Sequence, residues 1–435
     1  NIERFIFYNF NTVWPAGGPA EIFVRSVMEY WKRLVYIIAA IQVGMGITII
    51  GVVAFIPLFL TSEMGVHDPG EAAFWSGLIS GVTPFFVAFS TPVWTMQAQK
   101  YGEKAAMAGI LFLLSIIVFA NTFVRTPVEF LILRILQGMT GGFVAIGMAL
   151  VMNVTPKEKL PWAMGVFQAS MVSGIMFGPL AGGMIADAFG YRMPFLVFAG
   201  LSVLCLVITL LYIPKRAGPE TPKKREPFMK QLSLFIHNPV VRLMILLQFL
   251  CNFGMTGIGP ILPLYIQHMM GGDAAIVATI VGIIIFASGG TSVCASLMVP
   301  HFTRHFPMPR IIAVATMLTG VNFIFQYLMP TVTTLGIMRG ITGMTLGFVM
   351  PIANTIIASA VTSEQRGMVV GFAASFSIMG NVAGPVASGA IAMHFGYASV
   401  FWTTAACFFA AAWLIYRRRR LIMADLALGR EKKTA

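Results

Sequence analysis

An arginine in an apolar environment is the first residue of the chain that could do chemistry. Arg134 lies within a long apolar stretch, and Gln137 follows three residues later, a spacing that puts both side chains on one helix face. A guanidinium group inside a membrane span is costly unless it faces a cavity or a polar partner. The pair therefore either handles charge inside a membrane or serves as a structural group that satisfies backbone carbonyls.

Acidic residues avoid the middle of the apolar stretches. Of the 16 Asp and Glu residues, Asp187 at the end of one stretch is the best candidate to carry a proton, because carboxylates within membranes commonly form proton relays. Two alternatives remain for Asp187, namely capping a helix end and pairing with Arg192. The residues alone therefore do not display a proton path.

Enzyme and metal chemistry find no support in the sequence. The apolar stretches contain no His, Asp or Ser cluster with catalytic spacing, and the chain has no ATP-binding motif. The four cysteines, Cys205, Cys251, Cys294 and Cys407, lie in apolar runs without a CxxC or Cys/His pattern, which is typical of inert thiols. We expect no enzymatic activity, no metal and no cofactor.

Composition sets the class of protein. The chain has 435 residues, 57% of them hydrophobic and only 10% charged, with a mean hydropathy of +0.83, whereas a soluble domain carries about a quarter charged residues. Despite the net charge of +13, this excludes a soluble enzyme and a nucleic-acid-binding protein. The sequence predicts an all-α polytopic membrane protein.

Twelve apolar stretches are long enough to cross about 30 Å of hydrocarbon. They run over 36–60, 73–96, 105–122, 128–153, 162–187, 192–213, 240–268, 275–299, 309–329, 333–360, 367–393 and 398–416. The predicted divisions are an N-terminal extension (1–31), a six-helix half (32–213), a cytoplasmic linker (214–239), a second six-helix half (240–416) and a basic cytoplasmic tail (417–435).

Loop charges predict the orientation, since positive loops stay in the cytoplasm. With both termini cytoplasmic, the outer loops keep only Arg125 and Arg192 of the 29 Lys and Arg residues. The run 417–420 is interpreted as an anchor to anionic lipid headgroups. The N-terminal extension lacks a signal-peptide core, so either Met28 is the native start or the aromatic residues at 5–10 form an interfacial segment.

The two halves repeat at an offset of about 206 residues. Gly165, Gly178, Pro179, Gly183, Phe189, Gly190, Tyr191 and Phe195 recur as Gly371, Gly384, Pro385, Gly389, Phe395, Gly396, Tyr397 and Phe401. Arg134, Gly138, Gly142 and Phe143 recur as Arg339, Gly343, Gly347 and Phe348, and Gly51, Pro57, Leu58 and Gly65 as Gly257, Pro263, Leu264 and Gly271. Two halves of like orientation predict a pseudo-twofold axis along the membrane normal, with a substrate path between them. Arg339 is expected nearer a span end, where it can snorkel.

These segments resemble the major facilitator superfamily, in particular its twelve-span drug:proton antiporters, the bacterial multidrug exporters. The resemblance covers nearly everything after Trp31 and is carried by Trp75-Ser76-Gly77, Thr91-Pro92-Val93-Trp94, FLILRILQGMTGGFV (130–144) and GVFQASMVSGIMFGPLAGGMIADAFGYRMPF (165–195). It implies two six-helix halves that rock in alternating access, and it implicates Arg134 with Gln137 in proton coupling.

The fifth apolar stretch resembles the antiporter signature of that family. Gly174, Gly178 and Gly182 are four residues apart and share a helix face, and Pro179 removes a backbone donor. With Gly183, the pattern implies a pliable seam between the halves that resists leak. The alternative is ordinary close packing of helices, which a glycine stripe supports in any membrane protein.

The loop after the second stretch departs from the family pattern of a charged cytoplasmic latch. In TMQAQKYGEK, Thr95 replaces a glycine, Gln99 an aspartate and Glu103 an arginine. Residues that remain compatible are Lys100, Gly102 and Lys104. The resemblance therefore implies a weakened or rebuilt latch.

Polar residues within the apolar stretches are candidates for a substrate cavity, because burying them against lipid is unfavourable. They are Gln42, Gln168, Gln248, Asn252, Asn322, Gln326, Asn354 and Asn381. Each is equally suited to bonding one helix to another.

The expected function is export of amphipathic or lipophilic small molecules from the bacterial inner membrane, in exchange for protons, by a monomer embedded in lipid. The alternatives are a carrier of one metabolite, sugar, siderophore or lipid, since the same fold supports many substrates, and a non-transporting subunit of a complex.

Overall fold

A computed structural model describes residues 19–215, 238–272, 275–360 and 366–434, and these residues form helices and turns without a β-strand. We number the α-helices in chain order. They are α1 (Pro19–Ile50), α2 (Ile56–Glu63), α3 (Pro69–Tyr101), α4 (Glu103–Ala120), α5 (Pro127–Met139), α6 (Phe143–Val154), α7 (Leu160–Phe189), α8 (Met193–Tyr212), α9 (Pro239–Gly257), α10 (Leu262–Met269), α11 (Val277–His305), α12 (Met308–Leu328), α13 (Val332–Ser359) and α14 (Arg366–Thr434).

Within the described residues, eleven helical segments are long and apolar enough to cross a membrane. The last, Phe376–Ala424, is 49 residues long and contains Gly396 at φ 75°, ψ 174°, outside the helical region. Its two sides correspond to the two last predicted stretches. The all-α polytopic class is confirmed, while the count of twelve spans and the cytoplasmic position of the termini stay predictions.

The first and seventh predicted stretches each break near the same place. A 3₁₀ turn at Gly51–Ala54 separates α1 from α2, and a turn separates α9 from α10. Pro57 and Pro263, which are repeat partners, lie in the first turns of α2 and α10. A proline fits there because its missing N–H would be unpaired in that turn anyway. The duplicated sequence thus produces a duplicated break.

The fourth stretch breaks between α5 and α6, although its repeat partner α13 is continuous. Gly142 adopts φ 116°, a left-handed conformation that favours glycine. The break frees backbone carbonyls, and the indole of Trp94 on α3 donates to the Met139 carbonyl at 2.8 Å. A side chain of a neighbouring helix thus satisfies the freed group, as membrane burial requires.

Contacts between the repeat halves run mainly through two helix pairs, α3 with α14 and α7 with α11, with smaller contacts between α2 and α10 and between the turn at Gly51–Ala54 and α11. By the repeat, α3 corresponds to α11 and α7 to the first part of α14. The two pairs are therefore symmetry-related copies of one contact. The predicted interfacial segment at 5–10 and linker residues 216–237 lie outside the described residues.

Candidate functional site

The contact between the halves is made by glycines that meet proline carbonyls. A Cβ added to Gly282 on α11 would lie 2.6 Å from the Pro179 carbonyl oxygen on α7, closer than atoms can approach without displacement. In the repeat-related position, a Cβ on Gly77 would clash with the Pro385 carbonyl oxygen. Only glycine permits this approach of the two backbones. We call these two contacts the seams.

A second pair of glycines extends each seam. A Cβ on Gly389 would lie 2.7 Å from the Ala73 carbonyl oxygen, and a Cβ on Gly183 would clash with the Ala278 carbonyl. Gly183 and Gly389 are repeat partners, as are Ala73 and Ala278. Both seams lie toward the end of the bundle whose predicted loops carry few basic residues, which we call the charge-poor end. The opposite end is the basic end.

The glycine stripe of α7 faces its own half rather than the other one. A Cβ on Gly174 would lie 2.8 Å from the Gly46 Cα, one on Gly178 would lie 3.1 Å from the Gly51 backbone nitrogen, and one on Gly182 would clash with Gly51. Gly46 and Gly51 belong to the first span. The prediction that this stripe forms the seam between the halves is therefore wrong for Gly174, Gly178 and Gly182. The neighbouring face, with Pro179 and Gly183, lies in the seam.

Asp187 caps a helix of the opposite half. Its Oδ2 accepts a hydrogen bond from the Thr279 backbone N–H at 2.6 Å, in the first turn of α11, where N–H groups lack partners within the helix. The positive end of the helix dipole stabilises a carboxylate there. Arg192 bonds instead to Glu63, with Nε 2.9 Å from Oε2. The capping alternative for Asp187 is thus confirmed, across the seam.

Tyr191 lies beside this cap, between α7 and α8. Burial raises the pKa of its hydroxyl to about 12, with additional contributions from the charges of Asp187 and Glu63. A raised pKa for an acid means that the neutral form persists to higher pH, so Tyr191 remains neutral throughout the cellular pH range. A pH response at this end of the bundle cannot come from Tyr191.

Arg134 is buried in α5, with 4% of its surface exposed. Its Nη1 donates to Gln137 Oε1 at 2.9 Å, and its guanidinium carbon lies 4.9 Å from the centre of the Phe130 ring. Nε and Nη2 have no hydrogen-bond partner. The predicted pairing with Gln137 is present, and the guanidinium bonds a side chain rather than backbone carbonyls.

Arg339 is as deeply buried as Arg134, also with 4% exposed. Its guanidinium carbon lies 5.9 Å from the centre of the Phe323 ring on α12, and its Nη1 has no partner. The expectation that Arg339 snorkels is therefore wrong. Arg134 is the eighth residue of α5, and Arg339 is the eighth residue of α13. The two arginines therefore lie equally far from the start of their helices. A comparison of the two predicted span starts would have revealed this equal depth from the sequence.

Three of the predicted cavity residues come together in the second half. Gln248 on α9 donates to Asn354 Oδ1 on α13 at 2.8 Å. Asn252 on α9 donates to Ser377 Oγ on α14 at 2.6 Å. We call these four residues the polar cluster. Ser377 was missed because a single serine in an apolar stretch carries no pattern of its own.

The other predicted cavity residues are separate from this cluster. Asn322 and Gln326 are fully enclosed between α12 and α13, and both donate to Thr342 Oγ1, at 2.9 and 2.8 Å, so they bond one helix to another. Gln42, the repeat partner of Gln248, is buried, and its Oε1 has no hydrogen-bond partner among the described residues. The same holds for Oδ1 of Asn381. Gln168 is exposed on α7.

A sequence model of the Major Facilitator Superfamily matches residues 34–334 and 309–433. The chain belongs to the Major Facilitator Superfamily. It is a multi-pass membrane protein of a transporter family, as the sequence predicts.

Relatives of this superfamily member include a multidrug resistance protein. MdtG of Rahnella sp. (strain Y9602) is 30% identical over 402 residues, covering 91% of this chain and 96% of the relative. MdtG of Escherichia coli (strain K12 / DH10B) is 30% identical over 374 residues, covering 85% and 91%. The predicted resemblance to multidrug exporters of the superfamily is confirmed.

Solved structures of other transporters share the fold of this superfamily member. A bacterial homologue of the human lysosomal transporter Spinster, inward-facing and occupied, superposes with a TM-score of 0.77 at 15% identity, covering 91% of this chain and 98% of that one. The nucleoside transporter NupG gives 0.72 at 14% identity, covering 89% and 98%. At these identities the similarity concerns the fold.

The latch loop of this superfamily member makes its described polar contacts within its own half. Glu103 Oε1 accepts a hydrogen bond from Asn153 on α6 at 3.1 Å, and Lys104 Nζ donates to the Leu210 carbonyl on α8 at 2.6 Å. Gly102 ends α3 at φ 91°, while Gln99 and Lys100 are exposed. The rebuilt latch stays a prediction.

Proposed function

We propose that the protein exports amphipathic small molecules across the bacterial inner membrane by alternating access, in exchange for protons. The observation that carries this proposal is the pair of symmetry-related seams, which closes one end of the bundle with glycine contacts. Beside these backbone contacts, the rings of Phe177 on α7 and Phe286 on α11 meet with their centroids 5.1 Å apart, so opening of the seam must separate this aromatic pair as well. The closed end is the predicted outer end, so we propose that the closed seams belong to an inward-facing state.

The substrate class rests on the relatives. The MdtG proteins named above are multidrug resistance proteins and match nearly the whole chain. We propose that residues 32–213 and 240–416 are the two moving halves, that 214–239 links them, and that the exporter acts as a monomer.

The proton-coupling group is proposed to lie at a span end. The spans hold two buried arginines, and the carboxylates whose side chains the structure describes lie at or near helix ends, with Asp187 in the seam. The Asp187 carboxylate lies at the positive end of the α11 dipole, an arrangement that stabilises the closed seam. Arg134, whose guanidinium is only partly bonded, is proposed as the second coupling residue with Gln137.

The test is flux in proteoliposomes with and without an imposed pH gradient. A lipophilic cationic dye, a neutral amphiphile and an anionic amphiphile serve as substrates, for wild type, Arg134→Ala and the exposed control Arg125→Ala. We expect gradient-dependent flux that only Arg134→Ala abolishes. Flux without a gradient effect would contradict proton coupling, and no flux from folded protein would favour a non-transporting subunit.

A carrier of one polar metabolite is the second candidate, favoured by the polar cluster. Its side chains hydrogen-bond each other between α9, α13 and α14, and a site built to bond polar groups discriminates strongly against substrates that lack them. Wild type would then carry the polar substrate but none of the amphipathic dyes, and substitution of Asn252 by Leu would abolish that flux.

A further inference from the structure

A cavity of about 470 Å³ lies at the basic end of the first half, where α1, α4 and the end of α8 meet. Its volume falls in the range of about 300–1,000 Å³ that is usual for small-ligand sites. It lies away from the seams, the buried arginines and the polar cluster. The transport path does not account for it.

The wall of this cavity is positively charged. Arg33 from α1 and Lys104 from α4 line it, and none of the described residues in its lining is acidic. Lys104 uses one N–H to bond the Leu210 carbonyl, which fixes the ammonium group while leaving other donors available. Arg33 is exposed, and its guanidinium fork matches the oxygens of a phosphate group.

Aromatic and apolar side chains place the cavity at the membrane surface. Tyr30 and Tyr212 belong to its lining and are about half exposed, at 55% and 50%, while the adjacent Leu211 is 70% exposed. Tyrosines of this kind are typical of the interface between hydrocarbon and headgroups. The cavity therefore combines a cationic wall with an apolar rim that faces lipid.

We propose that this cavity binds the phosphate group of an anionic phospholipid of the adjacent leaflet. Arg33 and Lys104 hold the phosphate oxygens, the tyrosines flank the glycerol region, and the acyl chains follow the exposed apolar surface of α8. A free phosphate ion would use the same cations but gains nothing from the apolar rim. Basic pockets between helices at the cytoplasmic side are suited to lipid headgroups on general grounds.

Neighbouring basic residues provide matched controls. Lys32 and Lys100 carry the same charge and lie one and four residues away, but they are not part of the cavity lining. The double variant Arg33→Gln/Lys104→Gln is therefore compared with Lys32→Gln/Lys100→Gln, which changes the net charge equally. The single variant Arg33→Gln separates lipid binding from the contact of Lys104 with Leu210.

The measurement is native mass spectrometry of the delipidated full chain titrated with phosphatidylglycerol, phosphatidylcholine or inorganic phosphate. We expect phosphatidylglycerol to bind wild type about tenfold more tightly than the cavity double variant, with Arg33→Gln intermediate and the control double variant close to wild type. Thermal unfolding in detergent verifies that every variant is folded.

Three outcomes would overturn the proposal. Equal losses in both double variants would mean that surface charge alone attracts the lipid. Equal binding of phosphatidylcholine and phosphatidylglycerol would remove the role of net negative charge. Displacement of the lipid by millimolar inorganic phosphate would identify a site for free anions instead.

Discussion

At the scale of single residues, two buried guanidinium groups have no carboxylate partner in the part of the chain that the structure describes. Arg134 donates to Gln137 and contacts the Phe130 ring, and Nη1 of Arg339 has no hydrogen-bond partner there. Enclosing a charge without full hydrogen bonding costs several kcal/mol. A fold that only needed to pack would be more stable with apolar residues at both positions, which argues that these charges serve transport.

Substitution of Arg134 by methionine separates stability from transport. We expect an unchanged or higher midpoint of thermal unfolding, because an incompletely bonded charge is removed. Flux should fall about tenfold or more, the usual size of a lost coupling. Arg125→Met, on an exposed loop, should change neither. A parallel loss of stability and flux would show that Arg134 is structural.

Substitution of Asp187 by asparagine separates the charge of the cap from its hydrogen bond. The amide oxygen can still accept the Thr279 N–H, but the charge that interacts with the α11 dipole is lost. We expect the closed seam to lose roughly 1 kcal/mol, about a fivefold shift toward opening at the charge-poor end. Tyr191→Phe is the control, because the neutral Tyr191 hydroxyl carries no charge that could interact with the dipole. Spectroscopic distances between labelled α7 and α11 ends report the shift, and an unchanged distance in Asp187→Asn would refute it.

At the scale of helices, sequence reasoning predicted which faces are special but not what lies against them. The four-residue spacing of Gly174, Gly178 and Gly182 correctly predicts close packing. Their partner is α1 of the same half, whereas Pro179 and Gly183, one residue further round the helix, meet α11. Periodicity defines a face, while the partner of that face depends on tertiary contacts that no local pattern records.

Substitution of Gly282 by alanine tests whether the seam sets the conformational balance. Its new methyl group would lie 2.6 Å from the Pro179 carbonyl oxygen, and overpacking of this kind costs about 1–3 kcal/mol. Because separation of the helices removes the clash, we expect the ratio of closed to open molecules to fall about fivefold or more. Labels at Ala188→Cys and Ile276→Cys, with the native cysteines replaced, report the separation by electron spin resonance.

Gly200→Ala is the matched control for that substitution. A Cβ at Gly200 meets no atom within 4 Å, so the change should leave the label distance unaltered and raise helix stability slightly, by up to about 1 kcal/mol. If Gly282→Ala also leaves the distance unaltered, the glycine seam does not control opening.

At the scale of the whole molecule, most of what the sequence predicted about the architecture came from the internal repeat. Matched prolines and glycines predicted two halves of like orientation, and in the structure some of them lie at the paired breaks after α1 and α9 and in the paired seams. The two halves nevertheless diverge, in one place at a residue that the repeat matches, since Gly142 recurs as Gly347. The polar cluster has no counterpart in the first half, because Asn252 corresponds to Gly46, and the break at Gly142 has none in α13. Sequence symmetry therefore predicts the scaffold better than the site it encloses.

Locking the seam end tests alternating access as a property of the whole molecule. A Cβ at Gly70 would lie 3.2 Å from the Met393 Cα, so the two backbones are close enough for a disulfide. In Gly70→Cys/Met393→Cys, oxidation should hold the charge-poor end closed and stop flux, and reduction should restore it. Either cysteine alone should be insensitive to oxidant. Continued flux through the cross-linked protein would contradict a mechanism in which the halves separate at this end, because a substrate could then cross without opening the seams.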